Sequence, residues 1–236
     1  MRHLKLNLPA VFMVFGGTIV LSLSSLMAST NHVTAIAKPT WQNILKNWVK
    51  EPPHGSGDPG GNSGGRPGEA LCLITPFASQ PIWHTQPVFV WQGTTNTIGL
   101  RSQKTPSVFW QTSDSIHKAT VKQVQYTKVP LQPGQTYEWL FFGLSTTSPM
   151  TWQPFQVMAA PEREKIAADL KTLEAKLKME GANAETIALQ RTNYFADRKQ
   201  WVDVLQEVYS VKNPSKDLQK VAQEIATKTC SRDRQE

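Results

Sequence analysis

Any chemistry in this sequence would have to come from few side chains. Its two cysteines, Cys72 and Cys230, form no paired motif. In an oxidising compartment they read first as one disulfide joining the first strand to the last helix, and otherwise as two thiols, with Cys72 buried in the strand Leu71-Cys72-Leu73-Ile74. In the chain-entropy model a closed loop of that length contributes roughly 4–5 kcal/mol. Beyond residue 37 the histidines are His54, His84 and His117, and no two have the spacing of a helical zinc pair, so no metal site is expected. No Gly-x-Ser-x-Gly stands between a strand and a helix, and Gly55-Ser56-Gly57 lies in a Gly-rich stretch. A phosphate loop needs a following Lys and Ser or Thr, which Arg66-Pro67-Gly68 does not supply. Between residues 70 and 160 the only acids are Asp114 and Glu138, so a glycosidase would have to use that pair; Glu138 reads more simply as a solvent-facing strand residue. No catalytic residue and no cofactor is expected.

The elements that would position these residues begin with a leader. Arg2, His3 and Lys5 precede an uncharged stretch, residues 6–28, and Ala35-Ile36-Ala37 supplies the small residues that a signal peptidase reads. Residues 1–37 are therefore expected to be a signal peptide, with Ala28 as a second cleavage point. The alternative is an inner-membrane anchor formed by residues 6–28, close to the roughly 20 residues that span a bilayer, although Gly16-Gly17 and three serines lower its hydrophobicity. Both readings place the body outside the cytoplasm, in the periplasm or extracellular space. The formal charge of +7 falls to +5 without Arg2 and Lys5, which is too dilute to imply nucleic-acid binding.

Residues 38–69 divide into a short amphipathic helix and a linker. Trp41, Ile44, Leu45, Trp48 and Val49 recur at spacings of three and four, with Thr40 as N-cap, on a face suited to the domain itself, a partner or a membrane surface. The Gly/Pro-rich stretch that follows has no periodicity. Residues 70–160 then carry about seven short runs of β-branched and aromatic residues, at 71–74, 88–91, 97–101, 108–111, 119–126, 137–142 and 155–158. That spacing predicts an antiparallel immunoglobulin-like β-sandwich. The sharpest local signal is Pro133-Gly134 followed by Tyr137, which resembles a tyrosine corner whose phenol bonds back to the preceding loop.

Residues 161–236 read as a C-terminal bundle of about four short helices, making the chain α+β. Pro161 suits a first helical position, Ile166, Leu170, Leu173 and Leu177 form one face, and Gly181 ends the run. Asn183 caps a second helix, a third runs through Trp201, Val204, Leu205 and Val208, and a fourth passes Leu218, Val221 and Ile225 to end near Cys230. The middle pair, with Ala188, Tyr194, Ala196, Trp201, Leu205 and Pro214, resembles one tetratricopeptide hairpin; an ordinary packed hairpin is the favoured reading, since one copy makes no solenoid.

The segments around Cys72, Pro87-Val88-Phe89-Val90-Trp91, residues 131–139, and the helices at 193–197 and 201–205 are together similar to a cyanobacterial exported family of unknown function, over roughly residues 66–215. The resemblance implies a sandwich followed by helices, export and no assigned activity. In that family the second cysteine lies inside the sandwich, whereas here it is near the C-terminus.

Binding is then the expected role, through aromatic side chains. Trp83 and Trp152 sit beside polar or Pro-rich loops and are the candidates for exposed partner contacts. The expected function is a non-catalytic cell-envelope interaction or assembly module whose partner is another envelope protein. A carbohydrate or peptidoglycan binder and an unrecognised hydrolase are the alternatives. Membrane contact is expected only through an uncleaved N-terminal segment.

Overall fold

Helix ends in this chain are set by the residues placed there. The computed structural model describes residues 39–50, 71–113, 120–143 and 147–232; the leader, the Gly-rich stretch, His54, Asp114 and His117 lie outside these. Helix α1 (Trp41–Lys50) begins where Thr40 Oγ1 accepts from Asn43 N at 3.2 Å. Helix α2 (Ala160–Met179) opens on Pro161, whose fixed φ suits the first turn, and Gly181 follows its end at φ +76°, a backbone position that a side chain would strain. Helix α3 (Ala184–Ala196) is capped by Asn183, whose side chain accepts from Thr186 N. Helices α4 (Trp201–Ser210) and α5 (Lys216–Arg232) make four helices in the C-terminal part, and α1 brings the described helices to five. None of them is long and apolar enough to cross a membrane.

Among the described residues, seven strands form two antiparallel sheets. One has the order β1-β2-β5, from β1 (Cys72–Thr75), β2 (Val88–Gln92) and β5 (Val121–Gln125). The other has the order β4-β3-β6-β7, from β3 (Thr97–Ser102), β4 (Val108–Ser113), β6 (Thr136–Phe142) and β7 (Thr151–Gln156). Phe89 of β2 meets the second sheet, stacking on Trp139 at 5.0 Å and on Trp110 at 5.8 Å, with Phe155 edge-on. These contacts follow from the period-two alternation of strands, which places Tyr137, Trp139 and Phe141 on one face of β6. Gln132 N donates to the Tyr137 phenol at 2.9 Å, just after the chain reverses through Gly134 at φ +76°.

Helices α4 and α5 pack on β1 and β2, and α1 packs on α5 and α3. A single cluster of buried side chains runs from Trp41 and Trp48 through the strands into Leu205, Val221 and Ile225. The boundary near residue 160 therefore divides strands from helices but not one core from another. Helix α4 is buried along all of residues 201–209, including the polar Asp203, Gln206 and Glu207. A helix buried on every side must satisfy such groups internally, and that requirement creates the site described next. Cys72 of β1 and Cys230 of α5 are joined by a disulfide.

Candidate functional site

Asp203, Gln206 and Glu207 occupy positions i, i+3 and i+4 of α4 and so share one face of it. That face meets the segment entering β2. Both Asp203 carboxylate oxygens accept from Trp83 N, at 2.8 and 3.0 Å, and Oδ1 also accepts from His84 Nδ1 at 2.8 Å. Gln206 pairs with β2 as an extra strand residue would: its Oε1 accepts from Val88 N at 2.6 Å, and its Nε2 donates to Val88 O at 2.9 Å and to Thr75 Oγ1 at 3.0 Å. Glu207 Oε1 accepts from His84 Nε2 at 3.0 Å.

Both imidazole nitrogens of His84 thus face carboxylates, which only accept, so both carry protons and the ring is an imidazolium. Burial opposes that charge, but the bonds to Asp203 and Glu207 outweigh it and raise the His84 pKa to about 9. Burial likewise favours the neutral acid at Glu207, yet the attraction of His84 and Arg191 holds its pKa below the usual carboxylate range. Arg191 of α3 donates to Glu207 Oε1 through Nε at 2.9 Å and Nη2 at 2.6 Å, and its Nη1 bonds Glu174 of α2. Arg163 of α2 donates from Nε to Trp83 O at 2.7 Å, and the Trp83 indole returns a bond to Arg163 O at 3.1 Å. The Arg163 and Arg191 guanidiniums lie 5.5 and 5.4 Å from the Trp83 ring centre.

Two cations, His84 and Arg191, are thereby paired with three anions, Asp203, Glu207 and Glu174, while Arg163 joins the cluster through the Trp83 carbonyl. A cleft of about 320 Å³ opens beside them, lined by Trp83, His84, Gln86, Gln125, Arg163 and Arg191 among others. Each proton of the imidazolium is committed to a carboxylate, which leaves no lone pair to act as a base in this arrangement. The two carboxylates sit across the ring from each other and cannot close on one ion; among the described residues no three His, Cys, Asp or Glu side chains converge for metal binding.

Trp83, expected to be exposed, is instead half-buried and clasped between two arginines, its N–H groups committed to Asp203 and Arg163. A loop position next to Pro81 signals a turn, but gives no sign of helices closing over it. Glu138 also departs from expectation. It is 8 % exposed and accepts from Arg101 Nε at 2.6 Å, because β3 and β6 pair in a register that sets Arg101 opposite it.

Trp152 is 38 % exposed and lies on the opposite side of the molecule's sheets, on the face of β7 turned away from Phe155. Register places it beside Leu140 and Gly99. A side chain at Gly99 would meet the Phe142 ring at 3.1 Å, Val108 Cγ1 at 3.2 Å and Gln111 Cγ at 3.3 Å, so these residues roof the sheet where glycine leaves room. Leu140 is fully buried beneath this self-made layer, with Arg101 5.9 Å from the Trp152 ring centre, while Val108 and Met150 remain exposed. The His84 cluster escaped sequence reading; its one trace is a pair of acids at i, i+4 within the mostly apolar run Trp201–Ser210. No protein-family model, curated protein or solved structure matches this chain.

Proposed function

We propose that this chain is an exported cell-envelope protein of the kind suggested by its motifs, acting as a non-catalytic interaction or assembly module on another envelope protein. The observation that carries the reading is the broad face of the β4-β3-β6-β7 sheet, where, among the described residues, Trp152, Val108 and Met150 are exposed over a layer of the sheet's own side chains. An exposed tryptophan beside an arginine suits a protein partner, since both residue types are enriched among interface anchors. The charged groups around His84, by contrast, are engaged with one another, which favours a holding role for them over a reactive one.

In this reading the strands form an immunoglobulin-like sandwich. Two antiparallel sheets in the orders β1-β2-β5 and β4-β3-β6-β7, with the Tyr137 phenol bonded back to Gln132, support it. The helices then serve to cover the smaller sheet. A tetratricopeptide-like peptide surface receives less support, because α4 spends every face on its neighbours.

The test places a photo-crosslinking residue at position 152 and, as control, at exposed Gln219 of α5, in cells expressing the full chain. A stoichiometric protein adduct at 152 and none at 219 is expected. Absence of any protein adduct at 152 overturns the reading. Glycan binding rests on the same indole; retention of the chain by pelleted cell wall, lost in Trp152→Ala, would replace the protein partner with a carbohydrate.

A further inference from the structure

Arg163 is the one cation around His84 whose charge is not answered by a carboxylate. Both nitrogens of His84 donate to acids, and Arg191 spends Nε, Nη1 and Nη2 on Glu207 and Glu174. Arg163 donates from Nε alone, and to a neutral acceptor, the carbonyl of Trp83. Among the described residues, nothing bonds its Nη1 and Nη2; Glu162 and Glu164, beside it in the chain, are exposed and form no ion pair with it. Burial lowers its pKa, opposed only by the charge of Asp203.

This arginine lines the cleft of about 320 Å³ beside Trp83, a size at the lower end of small-molecule pockets. One wall of the cleft is charged. His84, Arg163 and Arg191 bring three cations to it against one carboxylate, Glu207, which His84 and Arg191 already share. An entering cation meets like charges, whereas an entering anion meets the open end of Arg163. That end is set in advance: Nε is held on Trp83 O at 2.7 Å, the Trp83 indole bonds Arg163 O at 3.1 Å, and the guanidinium lies 5.5 Å from the ring centre. Donors fixed beforehand lower the ordering cost of binding. The other wall is neutral, with Thr85, Gln86, Gln125 and Ser210. The amide nitrogens of Gln86 and Gln125 are spent on Lys128 O and Gln86 O, and the Ser210 hydroxyl donates to Gln206 O, so this wall chiefly offers acceptor oxygens.

We propose that the cleft binds a small monocarboxylate bearing a hydroxyl or amino group, with its carboxylate on Nη1 and Nη2 of Arg163 and its donor group on the amide oxygens of Gln86 and Gln125. With Nε engaged, Nη1 and Nη2 remain as a two-pronged end that matches the paired oxygens of a carboxylate. One unanswered guanidinium balances one negative charge, which favours a carboxylate over a phosphate monoester of about −1.5 to −2. The far wall, rich in acceptors, calls for a donor on the ligand. This site lies beside the helices and the smaller sheet, whereas Trp152 stands on the larger one, so it and the proposed partner face can fail independently.

The full chain is titrated with lactate and with serine, each beside its own amide, and with inorganic phosphate, by calorimetry and by following the tryptophan indole N–H signals. Lactate, serine or both bind, and the amides and phosphate bind roughly tenfold more weakly or not at all. The indole signal that shifts is that of Trp83, identified by its loss in Trp83→Phe, because this indole donates to Arg163 O. Arg163→Lys keeps the charge but not the fork and weakens binding roughly tenfold. Gln125→Ala, at an exposed position outside the charged wall, keeps the parent's thermal transition and weakens binding by a smaller factor. Binding of neither acid overturns the proposal. So do amides or phosphate that bind as well as the acids, or an affinity that neither Arg163→Lys nor Gln125→Ala changes.

Discussion

The two sheets of this molecule treat their outward faces differently. The smaller one, β1-β2-β5, is covered by α4 and α5, tied to them by a disulfide and by the Gln206 amide, and entered through a segment held by paired charges. Among the described residues, the larger one, β4-β3-β6-β7, covers its far face with its own side chains and leaves Trp152 and Val108 in solvent. The lesson is one of division. Groups with the greatest chemical capacity, the cysteines, His84 and the buried acids, are spent on holding helices to one sheet, and the plainer aromatic face of the other is left in solvent.

Perturbing the covered side should cost far more than perturbing the open one. Replacing both cysteines with serine removes a constraint across 158 residues and should lower unfolding free energy by about 4–5 kcal/mol, measured by denaturant titration with and without reductant. Asp203→Ala leaves His84 Nδ1 and the Trp83 amide without their buried acceptor and should cost about 3–5 kcal/mol. A loss below about 1 kcal/mol would break the contrast by showing that α4 is held by packing alone.

Acidity offers a third comparison. The folded His84 pKa, about 9, lies above its unfolded value of 6.5, so its pairing contributes in full below pH 6.5 and is lost as pH rises through about 9. The alkaline loss should reach about 3 kcal/mol and vanish in His84→Gln. Glu207 acts in the opposite sense. Its depressed pKa contributes above the ordinary carboxylate range and is lost on acidification, and the attraction it shares with His84 counts once. Tyr137→Phe removes the acceptor of the Gln132 N–H and should cost roughly 1–2 kcal/mol. Smallest on stability is Trp152→Ala, within about 1 kcal/mol, since it loses a half-open ring and the Arg101 contact while abolishing partner capture.

What could be read from the sequence was local. Thr40, Asn183, Pro161 and Gly181 act within a few residues of their positions, so their capping and stop signals could be recognised without knowing the fold. Pro133-Gly134 and Tyr137 likewise form a motif closed over five residues. The His84 cluster is the opposite case. His84 meets Asp203 and Glu207 across 119 and 123 residues, and only the docking of α4 on β2 brings them together. The pairing of Arg101 with Glu138 needed the register of two strands, and the embrace of Trp83 needed α2 and α3 to be in place. The two cysteines lay between these extremes: their number suggested a bond, and geometry alone could bring their β-carbons together.

That bond also decides how the molecule carries load. A pull applied to the segments outside residues 72 and 230 passes directly from one cysteine to the other, and both sheets and most of the helices lie in the bypassed loop. While the disulfide is intact, stretching can peel away α1 and the end of α5 but cannot draw out the strands. Proteolytic nicks inside the loop leave one covalent molecule, separable only after reduction. The bond makes the strand region indifferent to how its ends are handled.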